Sequence, residues 1–387
     1  MKFETKAIRL QTTQTGHKEH STPIFPTSSF TFENAEQMAA IFTGDEAGNI
    51  YSRFTNPTIR EFEVKMAALE GTEDAFATAS GMAAVFATFA AFLHQGDHIL
   101  SSRAIFGSTN NVITDTFPKW GVSYSWLDAT DTNQWEQALR PNTKLIYIES
   151  PSNPGLDIID LRAISKFATD HQLVLIVDNC FATPYLQQPC KLGASLSLHS
   201  ATKYIDGQGR VLGGVVCGSK DHIQLVRNFC RRTGPALSPF NAWILSKSLE
   251  TLAVRMDRHC QNALSLSIYL QTHPEVEWVK YPFLDSHPCY QIAVQQMKAG
   301  GGIVTFGIRG GLEAGKKFLN NIQMMSLTAN LGDTRTIATH PASTTHSRVS
   351  EEDRNAVGIS QNLIRISVGL EHIYDIIQDV EQSLTKK

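Results

Sequence analysis

The chain lacks the features that mark several classes of protein. It has no run of roughly 18 or more apolar residues, so no segment reads as a membrane-spanning helix. Its first residues, MKFETKAIRL, carry no apolar core, and no secretory signal is expected from them. Basic charge is in no excess. Lys and Arg number 34 against 37 Asp and Glu, a formal net charge of −3 with no polybasic run. That balance argues against nucleic acid and against an anionic membrane as partners. Cysteine is sparse and scattered, and none of the six (Cys180, Cys190, Cys217, Cys230, Cys260, Cys289) forms a C-x-x-C pair. Reduced thiols in a cytoplasmic protein are therefore expected, with neither a zinc site nor a disulfide framework. Internal repeats and low-complexity tracts are also missing.

The 387 residues, 42% of them hydrophobic, can build a large core, and a chain this long is expected to divide into two domains. Residues 1–57 are rich in Thr, Ser and Pro, and GHKEHSTPIFPTSSFTF reads as an extended arm. An extended segment cannot satisfy its own backbone, so the arm is expected to lie on something else, a partner subunit for example. From Pro57 the pattern changes. Thr58 to Gly71 predicts an amphipathic helix with Ile59, Phe62, Met66 and Leu69 on its apolar face. Strands are predicted at 74–78, 97–100, 122–126, 144–150, 173–178, 195–200 and 213–218, and helices at 81–94, 108–118, 132–139 and 160–171. Alternating helices and near-continuous apolar strands such as LVLIV predict a mostly parallel sheet covered on both faces. After a helix-rich stretch, VEWVKYP, GIVTFGI, SLTAN and LIRISVGL predict a smaller α+β domain. The expected division is an arm over 1–57, a large α/β domain over 58–250 and a C-terminal domain over 251–387.

In an open parallel sheet, ligands bind beyond the carboxyl ends of the strands. Ser80-Gly81-Met82 follows a strand and opens a helix, which suits a phosphate or simply caps the helix. Asp178 ends LVLIVD, where a carboxylate is costly unless paired. A protonated ring nitrogen would pair it, and so would the following turn. In Ser200-Ala-Thr-Lys203 the two hydroxyls face one side of an extended chain, and Lys203 is either an amine that condenses with an aldehyde or a surface lysine. Arg53, in Tyr51-Ser-Arg53, offers a planar fork for phosphate or a solvated cation. Arg365, inside the apolar LIRISVGL, calls for an anion, from a substrate or from the protein itself. A phosphate turn, a strand-end acid and an imine-forming lysine, in that order, are what pyridoxal 5'-phosphate (PLP) requires.

YSRFTNPT, ASGMAA, ESPSNP, VDNCFATP, HSATKYIDGQGRVLGG and HPASTTH with RISVGLE resemble the Cys/Met-metabolism (transsulfuration) PLP enzymes of fold-type I, over nearly the whole chain. The resemblance implies a PLP domain built on a mostly parallel seven-stranded sheet, a smaller C-terminal α+β domain and an arm that reaches a neighbouring subunit. It also implies a homotetramer made of two tight dimers that share their active sites. Lys203 matches the Schiff-base lysine and Asp178 the partner of the pyridinium. Ser80, Gly81, Met82, Ser200 and Thr202 match the phosphate binders. Tyr51 and Arg53 match the pair donated across the dimer, with Tyr51 also assisting proton movement. Arg365 matches the clamp on the substrate α-carboxylate, with Asn153 and Ser326 nearby in the same role.

The sequence departs from the family pattern in places. Phe106 stands where the stacking aromatic is commonly Tyr, which removes a phenol acid. Cys180 stands where many relatives have Thr. Ser108 replaces the Cys often found in methionine γ-lyases. SLTANLGDTRTIATHPASTTH is similar to the homoserine-ester sulfhydrylases, and the short chain resembles most those acting on O-succinylhomoserine. The expected reaction is γ-replacement of the succinyl ester by sulfide, giving homocysteine for methionine biosynthesis. A cystathionine γ-synthase, an O-acetylhomoserine sulfhydrylase and a γ-lyase are the alternatives.

Overall fold

The computed structural model describes residues 1–10, 14–131, 133–345, 347, 350–356 and 358–385. The arm is not uniformly extended. Residues 16–32 hold no helix, but Phe3–Arg9 (α1) and Ala35–Thr43 (α2) are helical. α2 buries nothing and is set by its ends: Asn34 accepts the Gln37 N–H, and Gly44 closes the helix at φ 88°. Local capping, which apolar periodicity does not register, makes this element.

Pro57–Glu70 (α3) forms as predicted. Asn56 caps it, Pro57 opens it and Gly71 stops it at φ 76°. Ile59, Phe62, Met66 and Leu69 are all buried. Burying each such side chain contributes roughly 1.5–3 kcal/mol, which fixes α3 against the main sheet.

That sheet has seven strands: β1 Asp74–Thr78, β2 His98–Ser102, β3 Ser123–Leu127, β4 Thr143–Glu149, β5 Val174–Asp178, β6 Leu196–Ser200 and β7 Gly214–Gly218. Their spatial order is β1-β7-β6-β5-β4-β2-β3. β7 runs antiparallel to both neighbours, and the other pairs are parallel. After β3 the chain crosses back over β2 to lay down β4, so the order reverses between β2 and β4 and opens a crevice at the carboxyl ends. The predicted helix at 108–118 breaks into an α-turn at Gly107–Asn111, a π-turn at Val112–Thr116 and a 3-10 turn at Phe117–Trp120.

The second sheet comprises β8 Val276–Lys280, β9 Ile303–Ile308, β10 Ser326–Leu327, β11 Ile337–Thr339 and β12 Leu363–Ser367, in the order β10-β11-β12-β9-β8. The helix Leu252–Gln271 spans both cores: Leu252 and Met256 pack with the first, Leu266 and Leu270 with the second. Among the described residues no helix is long and apolar enough to cross a membrane.

Candidate active site

Strand register gathers the site. Gly214, at the start of β7, pairs with Thr78 on one side and with Ser200 on the other. Ser80 and Gly81, just beyond β1, therefore meet the end of β6. The approach is too close for a side chain. A Cβ on Gly81 would lie 2.7 Å from the Ser200 Cβ, and one on Gly214 would lie 2.2 Å from the Ser80 carbonyl oxygen. Gly81 then opens the helix Gly81–Phe92 (α4), and Ser80 caps it by accepting the Ala83 N–H at 3.1 Å. Capping and anion binding are thus compatible here, because one hydroxyl satisfies one N–H and leaves the others of the first turn pointing outward.

A cavity of about 480 Å³ opens at this point. Ser80, Gly81, Met82, Phe106, Asn153, Asp178, Ser200, Thr202, Lys203 and Arg365 all line it, as do Glu149 and Cys180. Asp178 ends β5. Its carboxylate accepts the Cys180 N–H at 3.0 Å and the Tyr147 hydroxyl at 3.1 Å. Burial pushes its pKa up, against those two donors and the nearby His199. Lys203 Nζ donates to Asn330 Oδ1 at 2.7 Å. Burial lowers its pKa, and the positive Arg365 lowers it further. Arg365 is buried on β12 and donates to Asn153 Oδ1 at 2.9 Å. Its Nε has no hydrogen-bond partner, and burial pulls its pKa down to about 10, so it remains a cation at neutral pH. Thr202 Oγ1 is tied to the Gly213 backbone at 3.1 Å.

Three predicted residues lie elsewhere. Ser326 does not line the cavity. It sits on β10, two strands from Arg365 in sheet order, a separation of about 10 Å at ordinary strand spacing. Asn330 occupies the position beside Arg365, its side chain on Lys203 and its carbonyl oxygen accepting from Arg365 at 3.4 Å. The signal for it is Gly332, at φ 75°, where a Cβ would lie 2.6 Å from the Tyr204 nitrogen. The chain there must press against the backbone next to Lys203. Tyr51 and Arg53 also lie outside this cavity. Tyr51 is 43% exposed, and the Arg53 guanidinium sits 4.5 Å from the Phe54 ring and donates to the Arg231 carbonyl oxygen.

An acid at the end of β5, an amine of lowered pKa at the end of β6 and a glycine-tight helix start, all around one cavity of a mostly parallel seven-stranded sheet, define a PLP-dependent enzyme of fold-type I. The chain belongs to the Cys/Met metabolism PLP-dependent enzyme family, which it matches over residues 4–385. It is 47% identical over 382 residues to O-succinylhomoserine sulfhydrylase from Pseudomonas aeruginosa, covering 99% of this chain and 95% of that one. It is 43% identical over 385 residues to L-methionine gamma-lyase from Fusobacterium nucleatum subsp. polymorphum, covering 99% and 98%. The Corynebacterium glutamicum metB structure superposes with a TM-score of 0.93 at 38% identity, covering 99% and 98% of the two chains. A Campylobacter jejuni structure described as an O-acetylhomoserine (thiol)-lyase, carrying N'-pyridoxyl-lysine-5'-monophosphate, superposes with a TM-score of 0.96 at 34% identity, covering 99% and 100%.

Proposed function

We propose that this enzyme replaces the succinyl group of O-succinylhomoserine with sulfide, giving homocysteine for methionine biosynthesis. The observation that carries the reading is that Arg365, a buried cation with an unpartnered Nε, lines the same cavity as Lys203 and Asp178. The residues fit PLP: Ser80, Gly81, Met82, Ser200 and Thr202 would hold its phosphate, Asp178 its ring nitrogen and Lys203 its aldehyde carbon, with Phe106 beside the ring. When bound, the cofactor supplies a protonated ring that accepts the electron pair left at Cα of the substrate.

The chain's own residues do the rest. Arg365, with Asn153 and Asn330, binds the substrate α-carboxylate and sets Cα near Lys203. Lys203, with its pKa lowered, would take the Cα proton and hand it to the cofactor carbon it had held, which returns the amine to its neutral form; it would then take one proton from Cβ as the succinate carboxylate leaves from Cγ. Sulfide forms the new bond at Cγ, and Lys203 returns the protons in reverse order. Each such positioned proton transfer contributes about 10²- to 10⁴-fold. Asp178, as an anion, keeps the ring nitrogen protonated throughout. The partner subunit's Tyr51 and the partner subunit's Arg53 complete the phosphate site, and Tyr51 assists proton movement. The working form is a homotetramer of two such dimers in the cytoplasm, and the chain divides near residue 250, within the helix-rich stretch between the two sheets.

Replacement is favoured over elimination by what the cavity offers. Its cysteine, Cys180, is half-buried, and desolvation raises its thiol pKa, so it carries no thiolate. Position 108 is Ser. The test crosses succinyl-, acetyl- and phosphohomoserine with sulfide and with cysteine and identifies each product. Homocysteine made fastest from the succinyl ester and sulfide supports the reading. Cystathionine as the main product makes the enzyme a cystathionine γ-synthase, and a 2-oxo acid with ammonia and no added nucleophile makes it a γ-lyase. A preference for the acetyl ester moves it to O-acetylhomoserine.

A further inference from the structure

Two carboxyl groups share the cavity, and the mechanism above uses only Asp178. The other is Glu149. Register places it directly beside Asp178, at the last paired position of β4 and β5. It is buried, with 5% exposure, yet it lines the cavity. Its Oε1 accepts the Phe106 N–H at 2.7 Å and so holds the backbone of the ring beside the cofactor site. Tyr147 lies on the same face of β4, two residues back. Its hydroxyl contacts the Glu149 carboxyl and donates to Asp178 Oδ2 at 3.1 Å. The three groups form one chain: Glu149, Tyr147, Asp178.

Two adjacent carboxyl groups, one buried and one half-buried, resist ionising together. The anion goes to the better-solvated member. Asp178 has two donors, the Cys180 N–H and the Tyr147 hydroxyl, and lies near His199, which is itself paired with Glu70. Glu149 accepts one backbone N–H and faces Asp178, the Tyr147 hydroxyl and the neutral Cys180 thiol, and among the described residues no cation pairs with it. The Tyr147 hydroxyl has a single hydrogen, given to Asp178, and the Thr109 side chain also contacts it, so a hydrogen bond between Tyr147 and Glu149 needs the hydrogen to come from Glu149. Burial and the Asp178 charge both push the Glu149 pKa well up.

We propose that Glu149 is a positioning residue that carries a proton at working pH: it hands a hydrogen bond through Tyr147 to Asp178, fixes the negative charge on Asp178, and pins Phe106 over the cavity. The proposal deepens the cofactor reading and rests on Asp178 being the ring partner.

The test compares Glu149→Gln with Glu149→Ala in the holoenzyme and in protein stripped of cofactor. An infrared carboxylic-acid band, sensitive to deuterium, is expected from the wild type at neutral pH in both forms and is lost in Glu149→Gln. The raised folded pKa makes the wild type lose stability as pH rises from the ordinary carboxylate range toward that value, and Gln suffers no such loss. The melting-temperature gap, variant minus wild type, therefore widens as pH rises above the ordinary carboxylate range. In kcat/KM the alkaline limb of the wild type moves to higher pH in Glu149→Gln. Glu149→Ala frees Phe106 and releases cofactor several-fold faster than Glu149→Gln. If Glu149→Gln does not fold, Tyr147→Phe serves instead, because removing the linking hydroxyl shifts the acid band. An unchanged infrared spectrum together with a melting gap that ignores pH overturns the proposal, as does an acid band indifferent to Tyr147→Phe. Failure of the cofactor reading shows differently: borohydride then leaves no label on Lys203, while the acid band remains.

Discussion

The arm and the sheet end contrast within this one chain. Ser80, Asp178, Ser200 and Lys203 stand around one cavity because each ends or closely follows a strand whose register is fixed by pairing with its neighbours. Tyr51 and Arg53, also expected at the cofactor, lie in an arm where Tyr51 is exposed and Arg53 is held by its own neighbours. Most of the expected site is therefore specified by hydrogen-bonded pairing inside a protomer. The arm pair has no such pairing to place it at the cavity. Side chains at buried strand ends have no other place to go, whereas arm side chains are placed by whatever the arm lies on.

The strongest way to test the sheet half is Lys203→Ala. Turnover should fall by about 10³-fold or more, because both proton transfers lose their base. A variant with wild-type turnover breaks the assignment. Arg365→Gln should come next, with kcat/KM for the amino-acid ester down about 10²-fold through the loss of a charged carboxylate clamp. It also removes a positive neighbour of Lys203. The Lys203 pKa then rises, and the acid limb of kcat moves to higher pH, because the amine freed in the substrate complex must be neutral to accept a proton. A limb that stays in place separates the two residues.

The arm half has its own test. Arg53→Ala should weaken cofactor retention about tenfold, the effect of losing one charge-assisted phosphate contact. Mixed with Lys203→Ala and allowed to exchange subunits, it should recover up to about a quarter of wild-type activity, since half of the dimers are mixed and one site in each is intact. No recovery would mean that the arm serves its own protomer or none. Smallest is Gly81→Ala. The new methyl meets Ser200 at 2.7 Å, and such overpacking costs about 1–3 kcal/mol, read as a lower melting temperature with faster cofactor loss. A fully stable, cofactor-tight Gly81→Ala would show that the turn has slack.

The same contrast explains what could be read from the residues alone. The strands of the main sheet were legible because buried parallel strands are written as short apolar runs ending in polar residues, as in LVLIVD. Lys203 and Asp178 were legible because a charged group at such an end has few other uses. α2 was not legible, because its ends and not a buried face define it. The three-residue β11 is too short to show a period. In SLTAN, Ser326 and Asn330 both offer a polar group for Arg365, and only the tight passage at Gly332 separates them. Glu149 and Tyr147 were hidden in a strand that reads as core. Their chemistry arises only when β4 and β5 pair and set one carboxyl beside another.

The chemistry turns on one covalent position, Lys203. Reducing the purified yellow enzyme with borohydride, digesting it and mapping the pyridoxyl label by mass should place that label on the peptide carrying Lys203, and the label should be absent from Lys203→Ala. A label on another lysine, or a colourless protein that takes up none, would contradict it.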